Sequence, residues 1–118
     1  MKVDAYTHIL PPRYKAFLDS QSHTGPDSLD FNTYNPSIWD LDRRFRIMDR
    51  FPDVVQVLTL AAHIPSDLAG PAEALELSKR VNDEMAELVF EHPERFAAGV
   101  AVVPLNDIDA ALKELDAP

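Results

Sequence analysis

The stretch Asp4-Ala5-Tyr6-Thr7-His8-Ile9-Leu10-Pro11-Pro12 follows the apolar opening Met1-Lys2-Val3, and its reading decides the fold. It has the form of a short strand, about Lys2 to Tyr6, that stops where polar side chains able to bind a metal emerge. Side chains on a strand alternate between faces, so Asp4, Tyr6 and His8 are expected on one of them. Pro11 and Pro12 then start a short helix through Arg13-Tyr14-Lys15-Ala16-Phe17-Leu18, proline being well placed in a first helical turn.

Two further segments read as strands. Val54-Val55-Gln56-Val57-Leu58-Thr59-Leu60 is β-branched and almost uniformly apolar, and Phe96-Ala97-Ala98-Gly99-Val100-Ala101-Val102-Val103 is closed by Pro104. Near-continuous apolar runs suit parallel strands covered on both faces. Helical periodicity fills the intervals. Ile38, Leu41, Phe45 and Met48 recur every three or four residues between Ser37 and Phe51, before Pro52. Pro71 opens the longest helix, striped by Leu77, Val81, Met85, Leu88 and Val89 and stopped by His92-Pro93. Asn106 or Asp107 caps a last helix carrying Ile108, Ala111, Leu112 and Leu115. The order β-α-α-β-α-β-α makes right-handed parallel crossovers the economical topology. Ser20 to Pro36 stands apart as a polar loop, of a length more typical of an active-site cover than of filler.

Composition narrows the function classes. The 118 residues, 46% hydrophobic and 26% charged, fit one globular unit. Twenty acidic residues against eleven basic ones give a net charge of −9, which argues against nucleic acid and anionic membrane surfaces as partners. With no cysteine, disulfides and thiolate chemistry are excluded. No apolar run approaches the roughly 20 residues that span a bilayer, and the first residues lack a signal-peptide pattern, so a cytoplasmic protein is the default expectation. Gly-rich phosphate loops and a Gly-x-Ser-x-Gly elbow are also missing.

Three parallel strands in sequence leave two bare edges, and a closed eight-stranded barrel takes roughly 200 residues or more. The expectation is therefore that residues 1–118 are a partial barrel domain, its N-terminal third, whose edges pair with further strands or with another chain.

The ordered set of motifs resembles the amidohydrolase-related family that includes aminocarboxymuconate-semialdehyde decarboxylase. The resemblance rests on 4–12, on Asp40-Leu41-Asp42-Arg43-Arg44-Phe45-Arg46-Ile47-Met48-Asp49, and on Val55-Gln56-Val57-Leu58-Thr59-Leu60. It continues through Arg80-Val81-Asn82-Asp83-Glu84, His92-Pro93-Glu94-Arg95-Phe96 and Val103-Pro104-Leu105. It implies an α/β fold, the first three βα units of a TIM-type (β/α)8 metal-dependent hydrolase barrel. It also implies a divalent metal, with zinc the expected ion, at the C-terminal strand ends, where it polarises a substrate oxygen or acidifies a bound water. Members of the family present two ligands as His-x-His at strand one. Here the motif is Tyr6-Thr7-His8, so only His8 carries over as a metal ligand. A phenol must lose a proton of pKa near 10 to coordinate well, whereas imidazole binds as the neutral species.

Each candidate has a plainer alternative. Tyr6 is a contact for metal or substrate, or a packed ring with a satisfied hydroxyl. Asp4 supports His8 from behind, or accepts from a neighbouring backbone group. His63 follows the second strand and would stand at the same mouth, or is a plain loop histidine; His23 belongs to the polar loop. His92 reads as a helix C-cap. Arg43, Arg44 and Arg46 form a carboxylate clamp or a solvated, salt-bridged face, the latter being the stronger reading. Glu73, Glu76, Glu84 and Glu87 read as a charged outer face. The functional expectation is a hydrolase or non-oxidative decarboxylase of a small carboxylated substrate, incompetent as this chain alone. The rival is a non-catalytic assembly module, a homo-oligomer or a chain that completes its barrel with another.

Overall fold

Val54–Leu60 forms the middle of a three-stranded sheet, and its apolar residues explain why: a central strand must be covered where its neighbours are. The computed structural model describes residues 1–20, 35–61 and 64–116. The chain runs through β1 (Lys2–Ile9), α1 (Pro12–Ser20), a 3₁₀ turn (Pro36–Ile38), α2 (Leu41–Met48), β2 (Val54–Leu60), α3 (Pro65–Leu68), α4 (Pro71–Glu91), β3 (Phe96–Gly99) and α5 (Ile108–Leu115). Strand order is β1-β2-β3 and both pairings are parallel, the α/β arrangement expected of successive βα units.

The core lies between one face of the sheet and the helices. Ile9, Leu58 and Phe96 meet Met48, Val81, Met85 and Leu88, all buried. Each fully buried large side chain there contributes about 2 kcal/mol. The smallest dimension of the molecule is 19 Å, which holds one sheet and one helix layer and no more. Coverage on both faces was the expectation; among the described residues only one face is covered. On the other, Val3 is exposed and Val55 and Val57 are half-buried.

Three element boundaries differ from the sequence pattern, each for a local reason. β1 continues to Ile9 because Thr7, His8 and Ile9 pair with Leu58, Thr59 and Leu60, although Thr7 and His8 are polar. The periodic stretch 37–51 is split by a 3₁₀ turn, and α2 starts only after Asp40, whose carboxylate accepts from Arg43 N at 3.0 Å. β3 ends at Gly99, four residues before Val103. Beyond it the amide of Asn82 takes over the role of a strand neighbour: Val102 N donates to Oδ1 at 2.7 Å, and Nδ2 donates to Val102 O at 2.8 Å.

Glu84 was expected on an outer face; it is 5% exposed. Its carboxylate accepts from Arg13 N (2.9 Å), Tyr14 N (3.3 Å) and Arg13 Nε (3.0 Å), so it satisfies the open N-terminus of α1 from a different helix. Glu73, Glu76 and Glu87 are exposed as expected. His92 closes α4 as its C-cap, with its backbone N–H donating to Leu88 O, while the ring packs against Phe45 and Phe96. Arg95 ties the end of α2 down, through Asp49 at 2.7 Å and over the Phe45 ring. Asp107 caps α5 through Ala110 N. Of the apolar residues on α5 only Ala111 is buried; Ile108, Leu112 and Leu115 are exposed.

Two outcomes follow from this packing. Glu84→Ala strands the N–H groups of α1, and lowers stability by about 2 kcal/mol in chemical denaturation; a loss below about 0.5 kcal/mol would place it among ordinary surface changes. Burial pushes the Tyr14 phenol up to about 12 from 10.0. The unfolded chain then loses this proton first, so the contribution is intact below about pH 10 and is lost as pH rises toward 12. Tyr14→Phe therefore flattens the alkaline side of the stability profile, and an unchanged slope between wild type and variant would contradict the burial effect.

Candidate functional site

A β-bulge shapes the end of β1. Asp4 pairs with Gln56 and Thr7 with Leu58, so three steps along β1 match two along β2. Val57 has no partner on β1, and the Thr7 hydroxyl donates to its carbonyl at 2.7 Å. The extra residue reverses the alternation. Asp4 points with Gln56 and Leu58 toward the helices, whereas His8, opposite Thr59, points to the open face. The expectation that Asp4, Tyr6 and His8 share one face therefore fails for Asp4. Its Oδ1 lies 3.4 Å from Tyr6 N, and the oxygen beside the His8 ring belongs instead to Thr59, with Oγ1 3.3 Å from Nδ1.

Tyr6 and His8 do stand together. Their ring centroids are 4.9 Å apart at 70°, an edge-to-face contact. Tyr6 is 72% exposed, so the packed-ring reading does not describe it. Both side chains reach the open side at the C-terminal end of a parallel strand, the position where barrel sites are built.

Arg44 corrects the reading of α2 as a wholly solvated charged face. Arg43 and Arg46 are exposed, but Arg44 is 7% exposed and runs beneath the sheet. Nε donates to Gln56 Oε1 at 3.0 Å and Nη1 to the His8 carbonyl at 2.9 Å, with the Phe96 ring 5.8 Å from the guanidinium carbon. Burial pushes its pKa down to about 10, and the charge of Asp4 draws it partly back. The guanidinium thus clamps the backbone of the residue that carries the imidazole. No sequence signal separated Arg44 from its neighbours except its place on the apolar side of the helix, in line with Met48.

His63 and His23, with most of the polar loop 20–36, lie outside the described residues. His92 sits ahead of β3, at the other end of the sheet from His8. Among the described residues no group of three His, Cys, Asp or Glu side chains is placed to hold a metal. His8 suits one coordination bond; a catalytic metal takes about three protein ligands, which these residues do not supply.

No family profile matches the chain. The 2-amino-3-carboxymuconate-6-semialdehyde decarboxylase of Dictyostelium discoideum is 28% identical over 98% of this chain and 36% of its own length. A dihydroxybenzoic acid decarboxylase from Polaromonas, crystallised with manganese and the inhibitor 2-nitroresorcinol, superposes with a TM-score of 0.72. It is 31% identical, over 98% of this chain and 33% of its own. A candidate amidohydrolase from Staphylococcus aureus superposes at 0.65 with 29% identity, over 98% and 32%. Over nearly its whole length the chain is similar to proteins of the amidohydrolase-related family. Its three parallel strands are three βα units of that family's TIM-type barrel, and it spans about a third of the length of the relatives it matches. The manganese of the Polaromonas protein supports a divalent metal in the family. No helix among the described residues is long and apolar enough to cross a membrane.

Removing the Arg44 side chain leaves Gln56 Oε1 and the His8 carbonyl without a donor. Arg44→Ala is expected to cost about 3 kcal/mol. Arg44→Lys recovers little, because an ammonium cannot span both acceptors as the planar fork does. Equal stability of the lysine variant and wild type, measured by urea denaturation, would show that the fork geometry is irrelevant.

Proposed function

We propose that this chain supplies one wall and the first ligand position of a metal-dependent barrel that decarboxylates or hydrolyses a small carboxylated organic substrate. The observation that carries the reading is His8, exposed on the open face at the C-terminal end of β1 and held from behind by Arg44. The likeness to decarboxylases over 98% of the chain supports it.

In this reading His8 is a metal ligand and Tyr6 contacts metal or substrate, its hydroxyl donating to a substrate carboxylate in place of the usual second imidazole. His63, which follows β2 in sequence, is a further candidate contact for metal or substrate. Asp4 acts at a distance, through Arg44, on the backbone that carries His8. A divalent ion bound there supplies polarisation of a substrate oxygen or activation of a water. The edge of the Tyr6 ring meets the imidazole on one side, and the 2,6-dihydroxybenzoate bound by a similar decarboxylase supports a planar aromatic acid as the substrate class.

The remaining ligands come from strands beyond β3, so residues 1–118 make part of a barrel domain. Exposed Val3, Ile108, Leu112 and Leu115 favour a second reading beside the enzyme: an assembly module whose open face and last helix are covered by another polypeptide or a second copy.

Elemental analysis of the purified chain tests the metal reading and separates zinc from manganese. The expected result is substoichiometric divalent metal, reduced further in His8→Ala, with no release of carbon dioxide from 2,6-dihydroxybenzoate by this chain alone. Equal metal in wild type and His8→Ala would remove His8 from the ligand set. Turnover abolished by His8→Ala would show instead that these residues complete a working site.

A further inference from the structure

The hydroxyl of Thr59 faces two atoms at once. Oγ1 lies 3.1 Å from the carbonyl oxygen of Thr7 and 3.3 Å from Nδ1 of His8. A hydroxyl has one hydrogen to give and lone pairs to receive with. A carbonyl oxygen only accepts, so the hydrogen serves Thr7 and a lone pair is turned to the ring. The second contact is then a hydrogen bond only if Nδ1 carries the proton. With the proton on Nε2, two acceptors would compete for a single hydrogen, and one contact would be lost.

From this geometry we propose that Thr59 is a positioning residue that fixes neutral His8 as its Nδ1–H tautomer, presenting the Nε2 lone pair to the open face. Four features hold the arrangement. His8 and Thr59 are register partners across β1 and β2, which sets the distance between their Cβ atoms. Threonine is β-branched and restricted at χ1, so its hydroxyl does not swing freely. The Arg44 guanidinium pins the His8 carbonyl at 2.9 Å, and the Tyr6 ring meets the imidazole edge-on, which opposes a ring flip.

The consequence for ligand binding rests on the proposed role of His8. A ligating histidine commonly donates its other ring N–H to a fixed acceptor, which sets both the tautomer and the direction of the lone pair. Acceptors of this kind are often carboxylates or backbone carbonyls. Here the acceptor is a neutral hydroxyl from the adjacent strand, and Asp4, the carboxylate that the spacing pointed to, is turned to the other face by the bulge.

The test is a long-range ¹H–¹⁵N correlation spectrum of the imidazole, taken on the metal-free 118-residue chain with His8 neutral and assigned by its loss in His8→Ala. The expected wild-type pattern has a protonated, pyrrole-type Nδ1 and an unprotonated, pyridine-type Nε2. Thr59→Val keeps the shape and strand propensity of the side chain and removes the acceptor. It is expected to shift the ring toward the Nε2–H form that predominates in free histidine, while Thr59→Ser retains the wild-type pattern. A pyridine-type Nδ1 in wild type overturns the proposal without need of any variant. An unchanged ring in a Thr59→Val protein with native amide dispersion overturns it as well.

Titration with Mn²⁺ and Zn²⁺ separates this inference from the one it rests on. If His8 is a ligand, Thr59→Val binds about 10- to 100-fold more weakly than Thr59→Ser. If the tautomer pattern is as expected and no variant, wild type included, binds either ion, the assignment of Thr59 is supported and the metal role of His8 in this chain is overturned.

Discussion

A single surplus residue in β1, between Asp4 and Thr7, governs what the rest of the molecule can do. Strand alternation has a period of two, so one inserted residue exchanges the faces of everything on one side of it. The bulge puts Asp4 on the helix side of the sheet, where its charge eases the burial of Arg44, and leaves His8 on the open face beside Tyr6. The Thr7 hydroxyl adds a side-chain hydrogen bond to the Val57 carbonyl beside the irregularity. Without the bulge, an aspartate would stand on the histidine's side of the sheet and the buried guanidinium would lose the negative charge that draws its pKa partly back.

The motifs behind the family resemblance turn out to be largely mechanical. In Arg80-Val81-Asn82-Asp83-Glu84, Asn82 grips the chain after β3, Val81 fills the core and Glu84 receives the N-terminus of α1. In His92-Pro93-Glu94-Arg95-Phe96, His92 and Phe96 form an aromatic cluster with Phe45, and Arg95 binds Asp49. These side chains join elements distant in sequence, which is why their types and spacing are distinctive even though none of them is a candidate ligand.

Legibility followed the balance between local pattern and distant contact. β2 and α4 were readable to the residue, because an uninterrupted β-branched run and a long apolar stripe between Pro71 and His92 leave little choice. β1 is longer than its apolar part, since pairing with β2 recruits threonine and histidine that carry no strand signal of their own. β3 is shorter than its apolar part because a side-chain amide, invisible to any periodicity, captures Val102. Arg44 and Glu84 were misplaced for one reason: a charged residue on a helix is by default solvated, and only the distant acceptors and donors they meet overturn that default. Within the site, His8 was legible from its strand-end position, whereas Thr59 was not, because its relevance depends on register and on a bulge that ends 52 residues away at Thr7.

The Asn82 clasp bears on how the molecule behaves in a crowded solution. A strand edge that no neighbour covers is a template for indiscriminate strand addition, and the apolar run Phe96 to Val103 would offer a long one until a further strand paired with it. By holding Val102 at a helix side chain, Asn82 confines the free edge of β3 to four residues, Phe96–Gly99. An amide on the packing face of α4 thereby acts as a guard against aggregation, built from the same two hydrogen bonds that end the strand.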